Sequence, residues 1–293
     1  MKKESIFKSI WKTITPMLGY FLYQIVAIFV VSLAKFIHIS IIEAGASTSF
    51  RSAIVFDLVY ITISAIIQLV LAIYRFTPKW KEAASSTLFE IGENKPIITA
   101  TLIFVSFFSI SLLLNIAMTM LRLNEHSSYD AFRELIGKMT IIELFIVTVI
   151  VAPIVEELCF RGIIFNRLLS WTKPWIAIIY QAAVFGIIHL NLVQGIYAFL
   201  LGFAIGLLYY RFRKLWFCIL AHIAANFLAV VMRIIPNDIQ ESISPTGSMV
   251  ILLLFIGLTI ISSYLLIKQP KATPVQIPHD LQDDEDTECI TEK

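Results

Sequence analysis

Glu156 and Glu157 stand side by side, with Arg161 four residues beyond the second, inside an apolar run from Met139 to Phe165. Charged side chains at bilayer depth are costly, so by default they face a bundle interior or a wet cavity and mark function. On a helix, Glu157 and Arg161 share a face in the favourable acid-before-base order. Glu156 lies about 100° round the helix from Glu157. One carboxylate therefore has a counter-ion, and the other stands without a local partner, open to acid–base chemistry. The competing reading is a packing network of all three. Two more polar pairs interrupt apolar segments. His189 closes the stretch Phe185-Gly186-Ile187-Ile188-His189, and His222 and Asn226 share a helix face at four-residue spacing.

Such a set can do two kinds of work. A carboxylate and an imidazole can activate water while an amide and a second imidazole hold a developing oxyanion. Alternatively, Glu156, His189 and His222 make a possible zinc ligand set of the His/His/Glu kind, with a position left open for water. HExxH is absent and Asn226 is a poor zinc ligand, which favours metal-free chemistry with no cofactor needed.

The elements that must carry these residues are membrane helices. The chain has 293 residues, of which 58% are hydrophobic and 15% charged, the balance of a membrane protein. A net charge of +2 is too small to suggest nucleic-acid binding. Eight apolar runs have the length and composition of candidate spans: about 16–42, 52–75, 97–121, 139–168, 174–190, 195–210, 215–235 and 248–268. The fourth is overlong and is expected to project from the bilayer or kink near Pro153. The fifth and sixth are short. The fold class is thus all-α, a polytopic helical bundle of about eight transmembrane helices. It divides into N-terminal membrane helices at 1–138, a catalytic helical core at 139–235, a last membrane helix at 236–269 and a disordered acidic tail at 270–293.

Basic residues alternate with the spans. Lys2, Lys3, Lys8 and Lys12 precede the first; Arg75, Lys79, Lys81 and Lys95 follow the second. Arg167 and Lys173, then Arg211, Arg213 and Lys214, then Lys268 and Lys271 continue the same side, which reads as cytoplasmic for both termini. Lys35, His38, Asp57 and Glu143 read as interfacial, and Gly202 and Gly206 as a close helix-packing GxxxG. Cys159 and Cys218 read as small buried hydrophobes. Glu156 and His189 lie almost equally far along the chain from a hairpin turn at 170–173, hence at one depth; counting from Lys214 leaves His222 about 10 Å away.

The ordered set Glu156-Glu157-x3-Arg161, Phe185-x3-His189 and His222-x3-Asn226 resembles the motifs of the CAAX-processing and bacteriocin-processing (CPBP, or ABI) family of intramembrane endopeptidases, over about residues 139–230. The resemblance implies a peptide hydrolase with Glu156 as general base assisted by His189. It further implies His222 and Asn226 at the oxyanion, Glu157 and Arg161 holding the site's shape, and Phe185 packing the motif. The implied partners are the lipid bilayer and a peptide or membrane-protein substrate; the Lys-rich N-terminus, compact size and lack of N-glycosylation sequons are compatible with a bacterial plasma membrane. The cavity is expected to open to the cytoplasm, on the side of the basic turns, or laterally to the inner leaflet. A catalytically silent scaffold or bacteriocin-immunity protein is the alternative. A proton-coupled transporter would require repeat symmetry, which the sequence does not display.

Overall fold

The computed structural model describes residues 96–271, apart from 127, 128 and 170, together with Trp11, Leu18, Leu22 and Val26. The expected spans at 16–42 (those last three residues aside) and 52–75, Lys35, His38, Asp57, Cys289 and the acidic tail lie outside the described residues.

Every regular element described is helical. Helix α1 is Pro96–Met120, α2 is Asp130–Lys138, α4 is Pro174–Ile187, α5 is Leu192–Phe212, α6 is Leu215–Ile234, α7 is Asn237–Ser242 and α8 is Pro245–Lys268. Between α2 and α4 runs one long helix, α3, over residues 141–169. In α3, α-turns at Ile141–Glu143, Ala152–Glu157 and Asn166–Leu169 alternate with π-turns at Leu144–Val151 and Leu158–Phe165. A proline inside a helix lacks a donor and crowds the carbonyl four residues back. Pro153 sits just after the first wide segment, where the looser turn accommodates it.

Among the described residues four helices (α1, α5, α6 and α8) are long and apolar enough to cross a bilayer. The expectation of a short sixth span is corrected: α5 runs 21 residues, because Asn191 caps it early by accepting from the backbone N–H groups of Val193 and Gln194. The fifth stays short at 14 residues. Glu143 forms a reciprocal capping box with Thr140 at the start of α3, its carboxylate accepting from the Thr140 N–H at 2.6 Å.

Half of the most apolar window of α6 is buried against 11% for α8, so α6 is the centre of the bundle and α8 its periphery. Phe160, Phe165 and Phe185 share one buried core with Phe217 of α6. Polar pairs tie the outer helices: Ser106 donates to Ser262 at 2.7 Å across α1 and α8, and Ser111 donates to the Ala225 carbonyl at 2.8 Å across α1 and α6. Cys159 and Cys218 are buried free thiols, as their surroundings demand.

Contacts gather the basic residues at one end. Arg213 reaches Asn166 Oδ1 at 3.3 Å, Asn166 donates to Tyr209 at 2.8 Å, and Arg211 donates to the carbonyls of Ile267 and Gln269. At the far end Arg233 donates to Gly137 O at 2.9 Å.

Helices α4 and α5 approach closely because glycines face each other. A Cβ on Gly186 would lie 2.6 Å from Gly195 O and 3.1 Å from Phe199 Cβ. Gly186→Ala therefore forces backbone away from backbone, at a cost of about 1–3 kcal/mol. Thermal unfolding in detergent should show a lowered midpoint, and an unchanged midpoint would contradict the close packing.

Candidate active site

The two glutamates occupy the short α-segment of α3 between its π-turns. Glu157 and Arg161 form the expected ion pair, Nη1 to Oε1 at 2.7 Å, with both side chains at 0% exposure. Glu156 is 15% exposed and lines a cavity of about 1380 Å³, so it is the carboxylate that faces open space.

A partner for Glu156 from far along the chain comes from α6. His222 sits between the carboxylates, with Nδ1 2.8 Å from Glu157 Oε1 and Nε2 3.7 Å from Glu156 Oε2. Glu157 is paired with Arg161 and acts as an acceptor, so His222 donates through Nδ1 and leaves Nε2 towards Glu156. A chain Glu156–His222–Glu157–Arg161 thus runs from the cavity into the core.

His189, at the end of α4, is fixed the same way. Its Nδ1 is 2.7 Å from Phe185 O. A carbonyl can only accept, so this nitrogen carries the hydrogen and Nε2 is left for the cavity that His189 lines. Phe185 organises both imidazoles: its ring lies edge-on to His189 at 5.1 Å and to His222 at 5.7 Å, and the Arg161 guanidinium sits 5.3 Å from its centroid. Asn226 lines the same cavity but aims its amide along α3, donating to Thr148 O at 2.8 Å.

Two supports escaped the sequence reading. Arg161 Nη2 donates to Gly202 O at 2.9 Å, and Gln181, fully buried on α4, donates to the same carbonyl at 2.9 Å. The GxxxG on α5 does pack closely, but against these polar groups. A Cβ on Gly206 would meet Gln181 Nε2 at 2.5 Å, and one on Gly202 would lie 3.0 Å from Phe185 and 3.6 Å from Arg161 Nη2. The signal was the lone amide of Gln181 in an apolar helix.

The cavity does not open beside the basic turns. Its lining comes from the halves of the helices furthest from them: Met120, Thr148, His189, Val193, Ile235 and Met249 among others. Helices α3, α4 and α6 bring the polar residues of the site together, and the cavity's lining includes Met120 and Met249, both exposed. As a metal site the donors fit poorly. Among the described residues no three His, Cys, Asp or Glu side chains converge as a ligand set, Glu156, His189 and His222 included.

Residues 138–228 match the family model described as type II CAAX prenyl endopeptidase Rce1-like. This match, over the stretch that carries the motifs, makes the core of the chain similar to the CPBP family. A curated Bacillus subtilis (strain 168) protein named "Putative membrane peptidase YdiL" is 37% identical over 93 residues, which are 32% of this chain and 38% of that relative. The chain therefore aligns with well under two thirds of the relative's length. No solved structure matches it significantly. Helices α1, α7 and α8 fall outside the region matched to the family.

Proposed function

We propose that this chain is an intramembrane endopeptidase that hydrolyses peptide bonds of a membrane-tethered or amphipathic peptide or protein. The observation that carries this reading is the pairing of cavity-facing Glu156 with His222, itself anchored by the buried Glu157–Arg161 pair.

In this mechanism Glu156 takes a proton from a water while the water oxygen attacks the scissile carbonyl carbon. His189 Nε2, free of the Phe185 carbonyl, orients that water. The carbonyl oxygen becomes an oxyanion, which accepts from the second amide hydrogen of Asn226 and from His222 Nε2 when the ring carries a hydrogen on both nitrogens. As the tetrahedral centre collapses, the C–N bond breaks and Glu156 returns its proton to the leaving amine. Glu157 and Arg161 hold His222 in register and touch no substrate.

The reading needs no metal. Purified protein should keep its activity after exhaustive chelation and carry no stoichiometric zinc by elemental analysis; loss on chelation with recovery on adding zinc would replace Glu156 as unaided base. Comparing membrane peptidomes of cells with the natural chain and with Glu156→Gln tests the activity itself. Fragments should be present only with the natural chain, and identical peptidomes would favour the scaffold or immunity alternative.

A further inference from the structure

Helix α1, outside the region matched to the family, puts Ser111, Asn115 and Thr119 on the wall of the same cavity as Glu156. Four-residue spacing sets them along one face. Ser111 is buried, whereas Asn115 and Thr119 are exposed although they line the cavity. Gln194 and Tyr197 of α5, one turn apart, line it too.

The hydrogens on this wall are largely assigned. Ser111 gives its only one to Ala225 O, so Tyr197, whose oxygen is 2.6 Å from Ser111 Oγ, must donate to Ser111. Asn115 gives one amide hydrogen to Ser111 O at 2.9 Å, and Thr119 gives its hydroxyl hydrogen to Asn115 O at 3.0 Å. Asn115 also hydrogen-bonds the Tyr197 oxygen, so what remains is chiefly acceptor capacity on Asn115 Oδ1 and Thr119 Oγ1, with the Gln194 amide. A polypeptide backbone at membrane depth needs such partners, since each unsatisfied N–H or C=O there costs several kcal/mol.

The spacing fits one conformation of that backbone. Four residues of α-helix rise about 6.0 Å, and two residues of extended chain rise roughly 6.6–6.8 Å. Successive residues of the stripe therefore meet every second residue of an extended strand. The apolar side is adaptable: of the seven methionines in the chain, Met118, Met120, Met232 and Met249 line this cavity, and unbranched thioethers accommodate varied shapes. Among the described residues the lining includes no Lys or Arg to hold a free C-terminal carboxylate.

We propose that the substrate is an internal, hydrophobic polypeptide segment held extended along α1, with its backbone on Ser111, Asn115 and Thr119 and its side chains against the methionines. This rests on the peptidase reading, but binding tests it separately. The probe is a fluorescent Leu/Ala peptide blocked at both ends, titrated by anisotropy into the full chain carrying Glu156→Gln in lipid nanodiscs, beside versions N-methylated at single positions. Sensitivity to methylation should recur every second residue. Asn115→Leu should weaken the parent peptide by several-fold to tenfold and flatten that pattern, and Asn115→Ser should weaken it less. Absence of binding, equal tolerance of methylation at every position, or a pattern untouched by Asn115→Leu would overturn the proposal. The methylation scan needs no α1 variant, so misfolding cannot mimic a result. Binding with the alternating pattern by a natural chain that cleaves nothing would count against the peptidase reading alone.

Discussion

Glu156→Gln lowers peptide cleavage by a factor of about a hundred to ten thousand, the range a general base contributes, and leaves the fold intact. The substitution keeps the side chain's shape and removes its capacity to take a proton. Glu156 is the more exposed of the two carboxylates, 15% against 0% for Glu157, so its charge is the less dehydrated and its replacement by a neutral amide of the same shape is the better tolerated. Thermal unfolding of the purified variant in detergent should match the natural chain while turnover of a quenched fluorescent peptide falls. Unchanged turnover would remove Glu156 from the chemistry, and a collapsed unfolding midpoint would make it structural.

Arg161→Met acts on the opposite balance. It removes a fully buried cation that holds Glu157 at 2.7 Å and Gly202 O at 2.9 Å. The carboxylate left behind is itself fully buried and keeps only His222. Breaking one partner of such a pair costs about 3–5 kcal/mol, most of it the stranded charge. The double replacement Arg161→Met with Glu157→Leu should therefore recover much of the stability. It should not recover cleavage, because His222 then loses the carboxylate that orients it. Denaturation in mixed micelles measures both, and a single variant as stable as the natural chain would contradict a fully dehydrated pair.

The site was legible in sequence where the contact is local. Glu157 and Arg161 are one helical turn apart, and a turn of helix fixes their meeting whatever surrounds it. His222 was harder to place. Counting depth from Lys214 assumes uniform α-rods, whereas π-turns occupy much of α3 on both sides of the glutamates, so the count set His222 off from the residue it faces. Thr140-x2-Glu143 carried a readable capping signal that a bare interfacial assignment passed over. The close approach at Gly202 and Gly206 followed from glycine spacing alone, but not what fills it, since Gln181 and Arg161 arrive from other helices. The direction of the cavity was beyond reach, because it depends on which halves of six helices leave space between them.

Hydrolysis in oxygen-18 water by the purified chain in nanodiscs is the most direct measurement of the central claim. A mixture of blocked hydrophobic peptides is incubated with the natural chain and with Glu156→Gln, and new termini are read by mass spectrometry. The account predicts fragments whose new C-terminal carboxylates carry the heavy oxygen with the natural chain and their near absence with Glu156→Gln. No labelled fragments from the natural chain, or equal amounts from both proteins, would contradict it.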